Sequence, residues 1–180
     1  MRKSLLSLAA VFVAALTYAA PTNELREALK RKPNQEHGRV LYETCAACHQ
    51  QNGAGVMDDS VPNIAGQHYQ VILKQLTDFR DTERLDLRME AFARHHLRGP
   101  QDLADVAAFI AKLPPQPTTN LGSGKDLAAG EQAYTRCRHC HGASAEGNNR
   151  MRYPRLAGQH YQYLVKQIDT MIGGSRFNVS

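Results

Sequence analysis

Cys45-Ala46-Ala47-Cys48-His49 recurs 92 residues later as Cys137-Arg138-His139-Cys140-His141. The pattern Cys-x-x-Cys-His reads as a c-type haem attachment site. Two thiols add across the two vinyl groups of one porphyrin, so their spacing must match its edge. The histidine that follows is then placed under the iron as its proximal ligand. A thioredoxin-like dithiol also uses Cys-x-x-Cys, but it belongs near a βαβ pattern, and none is visible. Zinc sites pair two such motifs across a gap of about 15–20 residues. Here 88 residues separate Cys48 from Cys137. All four cysteines of the chain lie inside the two motifs, which leaves none for a structural disulfide. Cys45, Cys48, Cys137 and Cys140 are therefore the candidate thioether sites, His49 and His141 the candidate axial ligands, and two covalent haem c groups the expected cofactors.

The offset of 92 extends well beyond the motifs. Gly38 pairs with Gly130, Tyr42 with Tyr134, Gly55 with Gly147 and Pro62 with Pro154. Ala65-Gly66-Gln67-His68-Tyr69-Gln70 returns as Ala157-Gly158-Gln159-His160-Tyr161-Gln162. Lys74-Gln75 returns as Lys166-Gln167, and Arg84 as Arg176. Such a long unit marks a tandem duplication of one domain, not a solenoid. His68 and His160, each at a helix start, are expected to serve a contact shared by both units.

The expected organisation has four parts. Residues 1–20 form a signal peptide, 21–114 a first haem domain, 115–124 a linker and 125–180 a second haem domain. In the leader, Arg2 and Lys3 supply a positive start. Leu5–Leu16 is a largely apolar run, too short to span a bilayer comfortably, and Thr17–Ala20 offers small residues for cleavage. An uncleaved membrane anchor is the competing reading. Export fits the chemistry, because c-type haem is attached outside the cytoplasm. The expected location is the periplasm, with the protein soluble or peripheral to the membrane.

Each unit is small enough that an attached haem would form part of its core. The absence of Trp agrees with a core built around something other than large aromatic side chains. Asn23–Lys32 is charged and is expected to be mobile. Asn34 is a plausible N-cap for a helix running into Cys45. Tyr69, Ile72, Leu73, Leu76 and Phe79 recur at helical spacing, as do Leu103, Val106, Ala107, Ile110 and Leu113. The latter helix opens with Pro100 in its first turn and stops at Pro114-Pro115. The loop from Gln50 to Pro62 is expected to wrap the haem edge. The linker should be stiff in its proline half and flexible in its Gly/Ser half.

An iron that shuttles electrons needs a second axial group, commonly Met or His, and Met raises the potential. The candidates in the first unit are Met57, Met89, His68, His95 and His96. Met57 follows His49 too closely to reach the opposite face. Met89 lies a full helix further on, on a segment able to cross, and is preferred. His95 and His96 are weaker alternatives, and a core methionine filling space is the competing role for Met89.

The formal charge of +5 falls to near +3 without the leader, and haem propionates would bring it closer to neutral. No whole-chain footprint for nucleic acid results. The charge is uneven, however. Residues 21–116 carry twelve Lys/Arg against thirteen Asp/Glu, and residues 117–180 carry eight against four. Arg136, Arg138, Arg150, Arg152 and Arg155 surround the second motif. They could steer an acidic redox partner, or pair with propionates. Either way, positive charge beside haem disfavours the ferric state and raises its potential.

The chain resembles the dihaem cytochrome c4 family, a two-domain branch of class I cytochromes c. The resemblance rests on the paired attachment motifs, the Ala-Gly-Gln-His-Tyr segments, the Lys-Gln repeats, and Gln101-Asp102-Leu103-Ala104-Asp105-Val106-Ala107-Ala108-Phe109-Ile110. It implies an all-α fold of two tandem cytochrome c domains joined back to back. It also implies thioethers at Cys45 and Cys48 with His49 and Met89 on the first iron, and Cys137, Cys140 and His141 at the second. The implied role is periplasmic electron transfer towards a terminal oxidase, with a membrane oxidase or a cytochrome bc1-type donor as partners. In position, the second-unit counterpart of Met89 falls past Ser180, and no counterpart of the last helix follows. The second domain is thus expected to be C-terminally incomplete. Met151 and Met171 are expected to have loop and packing roles. The alternative function is a haem enzyme or gas sensor with an open sixth site on the second haem. A fixed haem subunit of a membrane oxidase or dehydrogenase is a further one.

Overall fold

The computed structural model describes residues 22–58 and 60–176. The expected signal peptide, residues 1–20, lies outside them. Among the described residues there are seven helices: α1 (Asn23–Leu29), α2 (Gln35–His49), α3 (Tyr69–Arg80), α4 (Leu87–His96), α5 (Pro100–Lys112), α6 (Leu127–His141) and α7 (Tyr161–Ile172). The only β pairing among them is two isolated bridges, and none of the helices is long and apolar enough to cross a membrane.

The first unit closes around α5. Leu103, Val106, Ala107 and Ile110 are buried, and they meet Tyr42 of α2 and Ile72, Leu73 and Leu76 of α3 in one core. Helices α2 and α5 touch at Gly38, where a Cβ would stand 2.1 Å from the Asp105 carbonyl oxygen. Glycine is needed there because backbone fills the space a side chain would take. The contact is locked by the buried Asp105 carboxylate. It accepts from the Asn34 backbone N–H at 2.7 Å and from Gln101 Nε2 at 2.8 Å, and lies 2.8 Å from His37 Nδ1. Asn34 caps α2 as its sequence suggests, accepting from the Glu36 and His37 N–H groups.

One expectation is overturned. The charged segment at Asn23–Lys32 is ordered into α1, capped by the Thr22 side chain. Leu25 and Ala28 are buried in the core, with Leu29 packed beside them. The acidic Glu24 pairs with Arg80 of α3 at 2.8 Å, so the charges on this segment tie it down instead of solvating it. The Arg80 guanidinium also donates to the Ala93 and Leu97 carbonyls at 2.6 Å each, closing the end of α4.

The second unit repeats α2 as α6 and α3 as α7. Its helices are far more exposed. Leu73 and Leu76 are 0% and 8% exposed, whereas their counterparts Val165 and Ile168 are 39% and 52% exposed. Gly130, the counterpart of Gly38, has nothing within 4 Å of a Cβ position among the described residues. The difference is the packing helix: α5 covers the first pair, and among the described residues nothing equivalent covers the second.

The two units meet through a pseudo-two-fold set of contacts. The backbones of Arg84 and Arg176, equivalent positions, form an antiparallel bridge. Each guanidinium donates to both Gln75 and Gln167. Burial, and then the charge of Arg84, lowers the Arg176 guanidinium to about 10. His68 Nε2 lies 2.8 Å from the Glu146 carbonyl oxygen, and His160 Nε2 lies 2.8 Å from that of Ala54, the equivalent residue. The recurring histidines thus do share a structural role, across the interface. The linker is pinned along the same seam. Gln116 O accepts from Asn63, Thr118 Oγ1 meets His160 Nδ1 at 2.9 Å, and Asn120 O accepts from the Tyr161 N–H.

Candidate haem attachment sites

Each Cys-x-x-Cys-His motif occupies the last turns of a helix, α2 in the first unit and α6 in the second. At i and i+3, Cys45 and Cys48 emerge on one face, and Cys137 and Cys140 do the same. None of the four is paired in a disulfide. Among the described residues, no cluster of His, Cys, Asp and Glu converges as a structural metal site requires, so the zinc reading has no geometric support. Cys45 borders the first core, as does Met89.

The chain reverses after each histidine and returns to hold its ring. The Gly55 N–H donates to the His49 carbonyl at 3.0 Å, and the Gly147 N–H donates to that of His141 at 2.7 Å. Both glycines have φ of +72°, and a Cβ at Gly55 would stand 2.4 Å from the Pro62 carbonyl oxygen. That close approach brings Pro62 O to 3.1 Å from His49 Nδ1, and in the second unit Pro154 O to 2.9 Å from His141 Nδ1. A carbonyl only accepts, so Nδ1 carries the proton in both rings and the Nε2 lone pair is available to a metal. His49 is buried, and desolvation holds its pKa below the ordinary imidazole value. It is therefore a neutral imidazole, the form that binds iron.

Met89 lies in the first turn of α4, half-buried, with its N–H capped by Asp86. The neighbouring Asp86 and Arg88 are close enough to bias the His49 ring electrostatically, and Arg88 donates to the Ser60 carbonyl at 3.1 Å. The start of α4 is thus held over the loop that follows the first motif. Met57 is exposed and accepts from Thr119 Oγ1 at 2.8 Å. Met151 is also exposed. His95 and His96 end α4 on its exposed side.

Two buried polar atoms lack a partner among the described residues: Tyr69 Oη and Arg152 Nε, one in each unit. Both are donors of the kind a propionate would satisfy. With the paired cysteines and the histidine rings held through Nδ1, the donor set fits haem c in each unit. None of the five arginines around the second motif forms an ion pair among the described residues.

Comparison with known proteins agrees with this geometry. The family profile described as Cytochrome c matches residues 35–114 and 127–175. Cytochrome c4 of Azotobacter vinelandii is 32% identical over 159 residues, covering 78% of this chain and 73% of that protein. The chain belongs to the cytochrome c family, in its dihaem cytochrome c4 branch. The reduced recombinant cytochrome c4 of Pseudomonas stutzeri superposes with a TM-score of 0.71 at 26% identity, covering 82% of this chain and 84% of that one. A protein of Stutzerimonas stutzeri named as a thiosulfate dehydrogenase electron acceptor is 31% identical, over 74% of this chain and 65% of that protein. Like other cytochromes c4, the chain is an all-α dihaem electron carrier, and its cofactors are two covalently bound haem c groups.

The interface was the part of the site that sequence reasoning missed. The repeated Gln67-His68 and Gln159-His160 pairs signalled a shared role, but which atoms they reach depends on how the units face each other.

Proposed function

We propose that the protein carries electrons one at a time between respiratory partners in the periplasm, towards a terminal oxidase, and that it performs no chemistry on a substrate of its own. The observation that supports this best is the duplicated geometry of a helix-end histidine whose Nδ1 is held by a following proline carbonyl. The domains are residues 21–114 and 125–180, joined by 115–124, behind a leader at residues 1–20. Cys45 and Cys48 hold one haem and Cys137 and Cys140 the other, and each haem supplies an Fe(III)/Fe(II) couple when bound. His49 and His141 would ligate the irons through Nε2, and Met89 would supply sulfur to the first iron. Holding each histidine ring through Nδ1 fixes its orientation in both oxidation states, so little reorganisation accompanies transfer.

Arg136, Arg138 and Arg150 are exposed and carry positive charge beside the second attachment site. An acidic partner docks there, drawn by long-range attraction. Electron transfer to such a partner is expected to slow steeply as ionic strength rises, because the screening length is already only about 10 Å at 0.1 M. Reversing the charge of Arg138 with Glu should slow the low-salt rate by about tenfold or more. Stopped-flow spectroscopy of haem oxidation measures both effects. A rate independent of salt and of Arg138 would contradict docking on this face.

A further inference from the structure

The residue that polarises each histidine-holding peptide comes from the opposite unit. Pro62 O accepts from His49 Nδ1. The other end of that same peptide group, the Asn63 N–H, donates to Gln159 Oε1 at 2.9 Å, and Gln159 Nε2 donates back to Asn63 O at 2.8 Å. The arrangement repeats with the units exchanged. Pro154 O holds His141. The Arg155 N–H donates to Gln67 Oε1 at 2.9 Å, and Gln67 Nε2 donates to Arg155 O at 2.9 Å. Asn63 is buried at the seam, with its side chain donating to the Gln116 and Gly158 carbonyls, so this clamp is rigid.

A peptide group is one resonance unit. Donation from its N–H places more negative charge on its oxygen, and hydrogen bonds in series strengthen each other by about 10–30%. A stronger acceptor at Pro62 O draws the Nδ1 proton of His49 and raises the basicity of Nε2, as outer partners of ligating histidines do. A more basic axial nitrogen favours ferric iron. We propose that Gln159 is a positioning residue that tunes the first haem through Pro62 and His49, and that Gln67 tunes the second through Pro154 and His141. Each unit thereby sets part of the other's reduction potential, and both settings depend on the interface being closed. The inference rests on His49 and His141 being the axial ligands.

The test uses the dihaem holoprotein, with both haems confirmed by mass. The potentials are followed separately by redox titration, using the hyperfine-shifted NMR signals of each haem. Gln159→Met removes both hydrogen bonds to Asn63, and the one accepted from the His160 N–H, at similar volume. It is expected to raise the potential of the haem at Cys45 and Cys48, changing its oxidised-to-reduced ratio at fixed poise by up to about tenfold, about 59 mV for one electron. The haem at Cys137 and Cys140 should move much less. Gln67→Met should give the mirror result. Gln159→Glu retains an acceptor for the Asn63 N–H and places negative charge there, so it should lower the first haem's potential. This variant decides the matter if the Met variant does not fold. The His49 Nδ1 proton resonance should shift with the Gln159 variants more than that of His141. Equal shifts of both haems, a larger shift of the haem in the mutated unit, or no shift in a protein holding both haems would overturn the proposal. Absence of the His49 and His141 ring protons from the haem-shifted signals would instead contradict the axial assignment beneath it.

Discussion

Met89→Leu is expected to lower the reduction potential of one haem on the order of tenths of a volt, within the roughly 0.8 V range that axial ligands control. The physical cause is the loss of a thioether sulfur, a ligand that favours ferrous iron and raises the potential. Leucine matches methionine closely in volume, so the packing cost should stay below about 1.5 kcal/mol. That separation is the point of the substitution, because Met89 also borders the first core. The vacated coordination position should then admit carbon monoxide, one equivalent per chain more than in the parent protein. A potential and a carbon monoxide stoichiometry unchanged from the parent would show Met89 to be packing only. His95→Ala and His96→Ala, which alter exposed residues on the far part of α4, should leave both readouts where they were.

Gly38→Ala should be strongly damaging to the first unit despite its small size. A methyl group there would lie 2.1 Å from the Asp105 carbonyl oxygen and 3.0 Å from Phe109 Cβ. Both neighbours belong to α5, and the carbonyl is fixed within the helix, so α2 and α5 must separate. Separation would loosen the contact of Tyr42 with Phe109, whose rings lie 5.1 Å apart. It would also stretch the bonds from Asp105 to Asn34 and Gln101. Alanine's better helix propensity offsets about 1 kcal/mol at most. A net loss of about 2–3 kcal/mol is expected, as for overpacking of a tight core. For a unit of this size the thermal midpoint should fall by about 10 °C or more. Thermal unfolding followed by circular dichroism measures it, and a midpoint within a degree or two of the parent would contradict the helix contact.

What could be read from the residues follows from how local each feature is. The attachment motifs are contiguous, so Cys45, Cys48 and His49 were legible at once, as were their repeats. The core faces of α3 and α5 were legible because their apolar residues recur over three or more turns. Helix α1 was not. Its apolar face is only Leu25, Ala28 and Leu29, and its charges read as solvated until Arg80 of α3 is brought beside Glu24. Helix α4 carries a weak apolar pattern and is held by Arg80 at its end, a contact no local pattern predicts. The cross-unit clamp of Gln67 and Gln159 was visible only as repetition. Its meaning required the relation of two segments 92 residues apart.

The mass of the mature protein, made in a host that matures c-type cytochromes, bears most directly on all of this. Two covalently added haems, retained after denaturation and reduced to one by C137S/C140S, are expected. A colourless protein with four unmodified thiols would contradict the account at its root.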